Sequence, residues 1–179
     1  MASKRTRLTT MAVALGAVVA GTFVTVASAD DGSFVIKTRL TGYQEDPAAV
    51  STTGWGDFRM RVNADRDKIT YRLTYDDLEG DVLQAHIHFG GRAQSGGISA
   101  FLCSNLGNGP AGTPECPEPS GKVTGTITAE DVIGPAAQGI SAGEFDELVD
   151  AIRAQTTYVN VHSSKYTGGE IRSQLHHRR

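Results

Sequence analysis

Apolar and polar residues alternate with a period of two through most of this chain. Between residues 34 and 40, the charged Lys37 and Arg39 alternate with apolar or threonine neighbours. This spacing is typical of a strand that buries one face and exposes the other to solvent. The predicted strands are 34–40, 58–62, 69–75, 82–89, 98–102, 122–128, 157–162 and 170–175.

One segment changes to a helical period. From Phe145 to Ile152 the apolar residues recur every three or four positions, which places them on one helix face. Ser141 followed by Glu144 has the spacing of a capping box. The sequence therefore predicts one amphipathic helix over about 142–154, with its apolar stripe against the sheet.

Short strands separated by turns, with a single helix among them, are typical of a mainly β fold. We expect an antiparallel immunoglobulin-like or Greek-key β-sandwich, in which the helix over 142–154 is a crossover covering one end. The chain has 179 residues, which fits one such domain over residues 30–179.

The first residues have the pattern of a secretory signal peptide. A basic head at Lys4, Arg5 and Arg7 precedes an apolar run and the small residues Ala27-Ser28-Ala29. We predict a signal peptide over residues 1–29, a secreted, extracellular protein, and no stable membrane span after cleavage. The exported part keeps 14 basic and 20 acidic residues, a net charge of −6. Nucleic acid is therefore not expected as a partner, since phosphate binding needs a basic surface.

The chain has two cysteines, Cys103 and Cys116, and both lie in the part predicted to be exported. Thiols outside the cell are usually oxidised and paired. We therefore predict a disulfide between them. It would close a loop of about 14 residues rich in Gly, Pro and Asn, which the chain-entropy model credits with about 3 kcal/mol.

Three of the five histidines occupy alternate positions of predicted strands. His86 and His88 are two residues apart in one strand, and His162 ends another. Neutral imidazole is a common metal ligand, and two imidazoles at this spacing point to the same side of a strand. The three residues are therefore candidate ligands of a mononuclear copper or zinc site, with Asn160 and Glu170 as its nearest polar neighbours.

A second interpretation of the same histidines is structural. In it, the three are partly buried polar side chains that bond to the backbone, and Glu170 and Arg172 form an ion pair on the strand surface. No nucleophile with an adjacent base, no paired carboxylates and no phosphate-binding loop is evident in the sequence. We therefore expect no catalytic residues and no enzymatic activity.

Three segments together resemble the chordin-type domain, CHRD. They are Ala85-His-Ile-His-Phe-Gly-Gly91, Gly125-Thr-Ile-Thr-Ala-Glu-Asp-Val132, and Tyr158-Val-Asn-Val-His-Ser163 followed by Gly168-Gly-Glu-Ile-Arg172. The likeness extends from about Phe34 to Leu175 and implies an immunoglobulin-like or Greek-key sandwich. The animal protein chordin, which carries repeated domains of this type, sequesters growth factors of the bone morphogenetic class. No motif in this sequence predicts that the chain binds such a growth factor.

The histidine positions are also similar to those of copper/zinc superoxide dismutase, which has a His-x-His strand and a late Val-His. Here these are His86, His88 and Val161-His162. The dismutase pattern also needs a bridging histidine and a zinc cluster, whereas residues 90–122 contain no histidine. Dismutase activity is therefore not expected.

The sequence favours a secreted, non-enzymatic binding or structural module, with an extracellular protein, a cell-wall component or a metal ion as its partner. The alternative is a copper- or zinc-binding protein that uses the three histidines.

Overall fold

The computed structural model describes residues 32–176, so the predicted signal peptide over residues 1–29 lies outside the described residues. Every predicted strand is present. The elements are β1 (Phe34–Thr41), β2 (Trp55–Val62), β3 (Ile69–Asp76), β4 (Val82–Phe89), β5 (Gly97–Ser104), β6 (Gly121–Ile127), α1 (Phe145–Arg153), β7 (Thr157–Ser163) and β8 (Ile171–Gln174). Short 3₁₀ helices occupy 42–44, 129–131 and 136–138.

All eight strands belong to one antiparallel sheet in the order β5-β4-β7-β8-β1-β2-β3-β6. The sheet curves so strongly that it is nearly a barrel. The Tyr71 hydroxyl of β3 donates a hydrogen bond to the Leu102 carbonyl of β5 at 2.7 Å, which joins distant parts of the strand order. The predicted mainly β, antiparallel fold is confirmed, and one curved sheet is compatible with the predicted sandwich.

The core lies inside the curved sheet, because alternate residues of each strand point inward. Along β2 the inward Phe58, Met60 and Val62 are at most 1% exposed, while Arg59 and Arg61 between them are exposed. The apolar stripe of α1 packs into the same core through Phe145, Leu148, Val149 and Ile152.

The helix is shorter than the sequence predicts. It begins at Phe145 rather than at 142, because Gly143 has a φ of +87° that cannot continue a helix. Glu144 precedes the first helical residue and its carboxylate accepts a hydrogen bond from the Ser141 backbone N–H at 2.6 Å. One half of the predicted capping box is therefore present, although Ser141 is not the residue that caps the helix.

Cys103 and Cys116 form the predicted disulfide, with their Cα atoms 5.1 Å apart. The side chain of Asn105 stabilises the same loop through hydrogen bonds. It accepts a hydrogen bond from the Cys116 N–H at 2.8 Å and donates to the Cys116 and Val82 carbonyls at 3.1 and 2.9 Å. Within residues 32–176, no helix is long and apolar enough to cross a membrane.

Candidate functional site

The three predicted ligand histidines meet on the outer face of the sheet, on the neighbouring strands β4 and β7. His86 pairs with Asn160 and His88 with Tyr158, while His162 pairs with Gln84 one step along the strands. The residues between them, such as Ile87 and Val161, are fully buried in the core. Strand alternation therefore places all three imidazoles on the side away from the core.

Although they lie outside the barrel, the histidines are buried. His86 is 0% exposed, and His88 and His162 are each 7% exposed. Two loops, residues 90–96 and 164–170, cover the histidines. The Gly96 carbonyl of the first loop bonds to His88, and the Thr167 carbonyl of the second bonds to His162. The ring of Phe101, on β5, closes the remaining side with its centroid 4.4 Å from that of His86.

The imidazoles form a compact triangle. Ring centroids are 5.3 Å apart for His86 and His88, 5.1 Å for His86 and His162, and 5.7 Å for His88 and His162. One ring nitrogen from each residue lies within 4.8 Å of those of the other two. Nitrogens bound to one tetrahedral ion at 2.0–2.1 Å lie about 3.4 Å apart, so inward ring shifts of about 1 Å would complete the site.

Two loop carbonyls fix the orientation of the rings. Nδ1 of His88 lies 3.0 Å from the Gly96 carbonyl, and Nδ1 of His162 lies 3.0 Å from the Thr167 carbonyl. Because a carbonyl oxygen only accepts, each Nδ1 carries the proton, and the lone pair of each neutral ring is on Nε2. Metal-bound histidines usually donate their second nitrogen in this way.

The nitrogens left over have no partner. Nε2 of His88, Nε2 of His162 and both nitrogens of His86 are buried and accept or donate no hydrogen bond within the described residues. Leaving a buried polar atom unpaired costs about 1–3 kcal/mol. These four atoms are the polar groups of the cluster that a bound ion or water could pair with.

The environment keeps the imidazoles neutral. Burial, together with the smaller effects of the adjacent His162 and His88, lowers the pKa of His86 to about 2. Burial likewise lowers the pKa of His88 to about 4, against the opposing hydrogen bond to Gly96. The pKa of His162 is also lowered by burial. Neutral rings have the free lone pair that a metal ion needs.

A cation stacks behind the triangle. The ring of Tyr158, on β7, lies parallel to the ring of His88 with 4.8 Å between centroids. The guanidinium of Arg172, on β8, lies 3.5 Å from the centroid of the Tyr158 ring. Arg172 is 2% exposed and donates to the Gly91 and Gln94 carbonyls, each at 3.0 Å. Arg172 therefore holds the loop 90–96 over the site.

Glu45 adds a carboxyl to the surroundings of the histidines, and no pattern in the sequence predicts it there. It accepts a hydrogen bond from Asn160 at 3.3 Å, and burial raises its pKa to about 7 despite the opposing charge of Arg172. Glu170, which the sequence placed near the site, accepts instead from Thr52 at 2.6 Å and from the Glu79 N–H at 2.7 Å.

The structural interpretation of the sequence is correct in one respect and wrong in another. His88 and His162 bond to the backbone, as it expected, whereas neither nitrogen of His86 has a partner within the described residues. The Glu170–Arg172 surface ion pair is absent, since ion pairs among residues 32–176 join Arg66 to Asp150 and Lys165 to Glu79. Glu170, just before β8, and Arg172, on β8, are both buried, and each bonds to loop backbone rather than to the other.

Residues 36–175 match the family model of the CHRD domain. The chain belongs to the CHRD domain family. The matched segment contains all three clustered histidines, both cysteines and Glu45, so the site is part of the CHRD fold rather than of an appended segment. No curated protein and no solved structure shows significant similarity to the chain.

Proposed function

We propose that this CHRD domain is a secreted, non-enzymatic binding module that holds one copper or zinc ion through His86, His88 and His162. The observation that carries the proposal is the cluster of three buried imidazoles, which contain four unpaired ring nitrogens and offer one ligand atom each within 4.8 Å of one another. An ion bound by one nitrogen of each ring would use three of these four atoms.

The donor set favours copper or zinc among the common metals. Neutral imidazole suits zinc, copper, iron and nickel, whereas calcium and magnesium prefer oxygen ligands. Three nitrogen ligands leave a fourth position for water or another group, as in many zinc sites. Copper(II) binds nitrogen sites more tightly than zinc does, so copper is the stronger candidate where both are present.

A binding role fits the surroundings of the histidines better than a catalytic one. Two of the rings are held by loop carbonyls, and the disulfide takes up both cysteines. A nucleophile would need a general base within hydrogen-bond reach, and the three imidazoles contact aromatic rings and one another instead. The signal peptide predicted for residues 1–29 and the Cys103–Cys116 disulfide support an extracellular location.

The proposal is tested by metal content and affinity of protein purified without a tag. The natural tail also contains His176 and His177, so the starting protein should carry His176→Gln and His177→Gln. We expect one copper or zinc ion per chain by mass spectrometry of the metal, and a higher melting temperature when metal is added. At a free metal concentration 100 times Kd, the added stability is about 2.7 kcal/mol.

Variants of the clustered histidines are compared with the parent that carries His176→Gln and His177→Gln. His88→Gln and His162→Gln each remove one ligand while keeping a polar side chain of similar size. Both should lose stoichiometric metal and the melting shift while retaining the circular dichroism spectrum of the parent. A variant that keeps one tightly bound ion per chain would contradict the assignment of that residue. A parent that binds no metal would contradict the proposal.

A further inference from the structure

Six basic side chains project from the other half of the sheet, on the outward face of β1, β2, β3 and β6. All of them are exposed. We call this set the basic face: Lys37, Arg39, Arg59, Arg61, Arg72 and Lys122. The acidic side chains on the same face are Asp57 and Asp76, so cations predominate although the whole chain has a net charge of −3.

The strand register brings like charges directly opposite one another. Lys37 of β1 pairs with Arg59 of β2, and Arg59 pairs with Arg72 of β3. Like charges at directly opposed positions of antiparallel strands destabilise a sheet. The row formed by Lys37, Arg59 and Arg72 therefore does not stabilise the fold. An anion bound along this row would reduce the repulsion between the three cations.

The basic face is only partly offset from within the protein, by Asp57 directly opposite Arg39 in the register and by Asp76. Among residues 32–176 none of the six cations belongs to an ion pair, because the recorded pairs are Arg66–Asp150 and Lys165–Glu79. Arg61 donates to the hydroxyl of Ser33 at 3.1 Å, and the guanidinium of Arg39 lies 4.8 Å from the Trp55 ring centroid. Their charges remain available to a partner.

We propose that the basic face binds a linear polyanionic glycan of the extracellular surroundings, independently of the metal site. A depression of about 480 Å³ runs over the face and is lined by Lys37, Arg39, Asp57, Arg59, Arg72 and Thr74, among others. Neighbouring strands are about 4.8 Å apart and alternate residues about 6.7 Å apart, a spacing that a polymer with one anionic group per sugar unit can follow.

Other polyanions fit the face less well. An anionic membrane surface usually engages apolar side chains as well as cations, and the exposed large apolar residues of the described chain are Tyr43, Leu106 and Ile133, which lie outside the basic face. A nucleic acid usually meets a protein of basic overall charge, whereas this chain is acidic. A flexible anionic glycan needs only the local row of cations.

The test is binding of dextran sulfate to the purified full-length protein, with neutral dextran as the uncharged probe. We expect dextran sulfate alone to bind, with an affinity that falls steeply as salt is raised. The variant Lys37→Gln/Arg59→Gln/Arg72→Gln should bind at least about tenfold more weakly at low salt, and its dependence of log K on log salt should be shallower by about two to three.

The control variant Arg92→Gln/Lys165→Gln removes two exposed cations from loops on the histidine side and should bind dextran sulfate like the parent. Because it relieves repulsion, the triple variant should melt at or above the temperature of the parent. Unchanged binding by the triple variant, or an equal loss in the control, would overturn the proposal. Equal or tighter binding to duplex DNA or to anionic lipid vesicles at the same salt would replace the glycan with that partner.

Discussion

At the scale of single residues, the site depends on side chains whose charge is set by their surroundings. His86 sits against Phe101 and two other imidazoles, and burial removes the water that would stabilise a second proton on its ring. Glu45 is affected in the opposite sense, since burial favours the form that keeps its proton. Both residues are therefore close to neutral over much of the range between pH 5 and pH 7.

These opposite shifts predict how the metal-free protein responds to acid. The pKa values of His86 and His88 are lower in the folded chain than the ordinary 6.5, so the unfolded chain takes up more protons as the pH falls. Between pH 7.5 and 5.5 these two residues remove about 3 kcal/mol of stability, and His162 acts in the same direction.

Glu45 acts against the histidines. Its folded pKa of about 7 exceeds the ordinary value of 4.5, so its contribution to stability grows as the pH falls through 7. Between pH 7.5 and 5.5, Glu45 therefore offsets about 2 kcal/mol of the stability that the histidines remove. Urea unfolding with a chelator present should show a larger acid loss for Glu45→Gln than for the parent, by about 2 kcal/mol. The exposed Glu130→Gln should match the parent, and an equal loss in Glu45→Gln would contradict the raised pKa.

At the scale of elements, the helix and the disulfide loop are local units with different supports. α1 is held by its apolar stripe, while the loop between Cys103 and Cys116 is held by a covalent bond and by Asn105. The loop has no regular strand or helix between residues 105 and 120 that would define its course. The loop therefore depends on the disulfide and on the hydrogen bonds of Asn105, whereas α1 depends on the packing of its apolar side chains.

Phe145 tests the packing of α1. This residue is 6% exposed and is the first residue of the helix. Phe145→Ala should lower the free energy of unfolding by about 3–5 kcal/mol, because it removes a buried aromatic ring and leaves a cavity. The neighbouring Asp146→Ala, on the exposed face, should cost under about 1 kcal/mol. Similar losses for the two variants in urea titrations would show that the stripe is not what holds the helix.

The disulfide is tested by replacing both of its residues. Cys103→Ala/Cys116→Ala should lower the free energy of unfolding by about 3 kcal/mol, since the unfolded chain regains the freedom of the open loop. Reduction and alkylation of the parent provide an independent comparison by thermal melting. A loss under about 1 kcal/mol would mean that Asn105 and the neighbouring backbone bonds already define the loop.

At the scale of the whole molecule, Arg172 connects distant parts of the chain. It lies on β8, stacks on Tyr158 of β7 and bonds to two carbonyls of the loop after β4. The same loop supplies the Gly96 carbonyl that orients His88. The geometry of the histidine triangle thus depends on a residue that is not part of it.

This arrangement predicts the effect of Arg172→Met, which keeps much of the side-chain volume and removes both hydrogen bonds. Stability should fall by about 2–4 kcal/mol, because the Gly91 and Gln94 carbonyls lose charge-assisted partners. Hydrogen exchange should accelerate in residues 90–96 more than in β2 and β3. Tyr158→Phe, which keeps the stack but removes a hydroxyl bond to Gly96, should have the smaller effect. Uniform acceleration across the sheet would indicate a global rather than a local role.

The sequence by itself was sufficient for the features that depend on neighbouring residues. Period-two alternation located the strands, a stripe of apolar residues located α1, and an even number of cysteines in a predicted export context gave the disulfide. The alternation also placed His86 and His88 on one face, because the side-chain direction reverses at every residue of a strand. These patterns are local, and each can be detected within a short stretch of sequence.

Only the tertiary structure decided which segments became neighbours. The strand order that sets β7 beside β4 brings His162 to His86 across 76 residues, and loops from elsewhere bury both. Glu45 reaches Asn160 from a separation of 115 residues, for which no local pattern gives a signal. Like-charge rows such as Lys37, Arg59 and Arg72 likewise appear only when the register is known. Pairing order and loop placement depend on long-range contacts of the folded chain, which local periodicity does not specify.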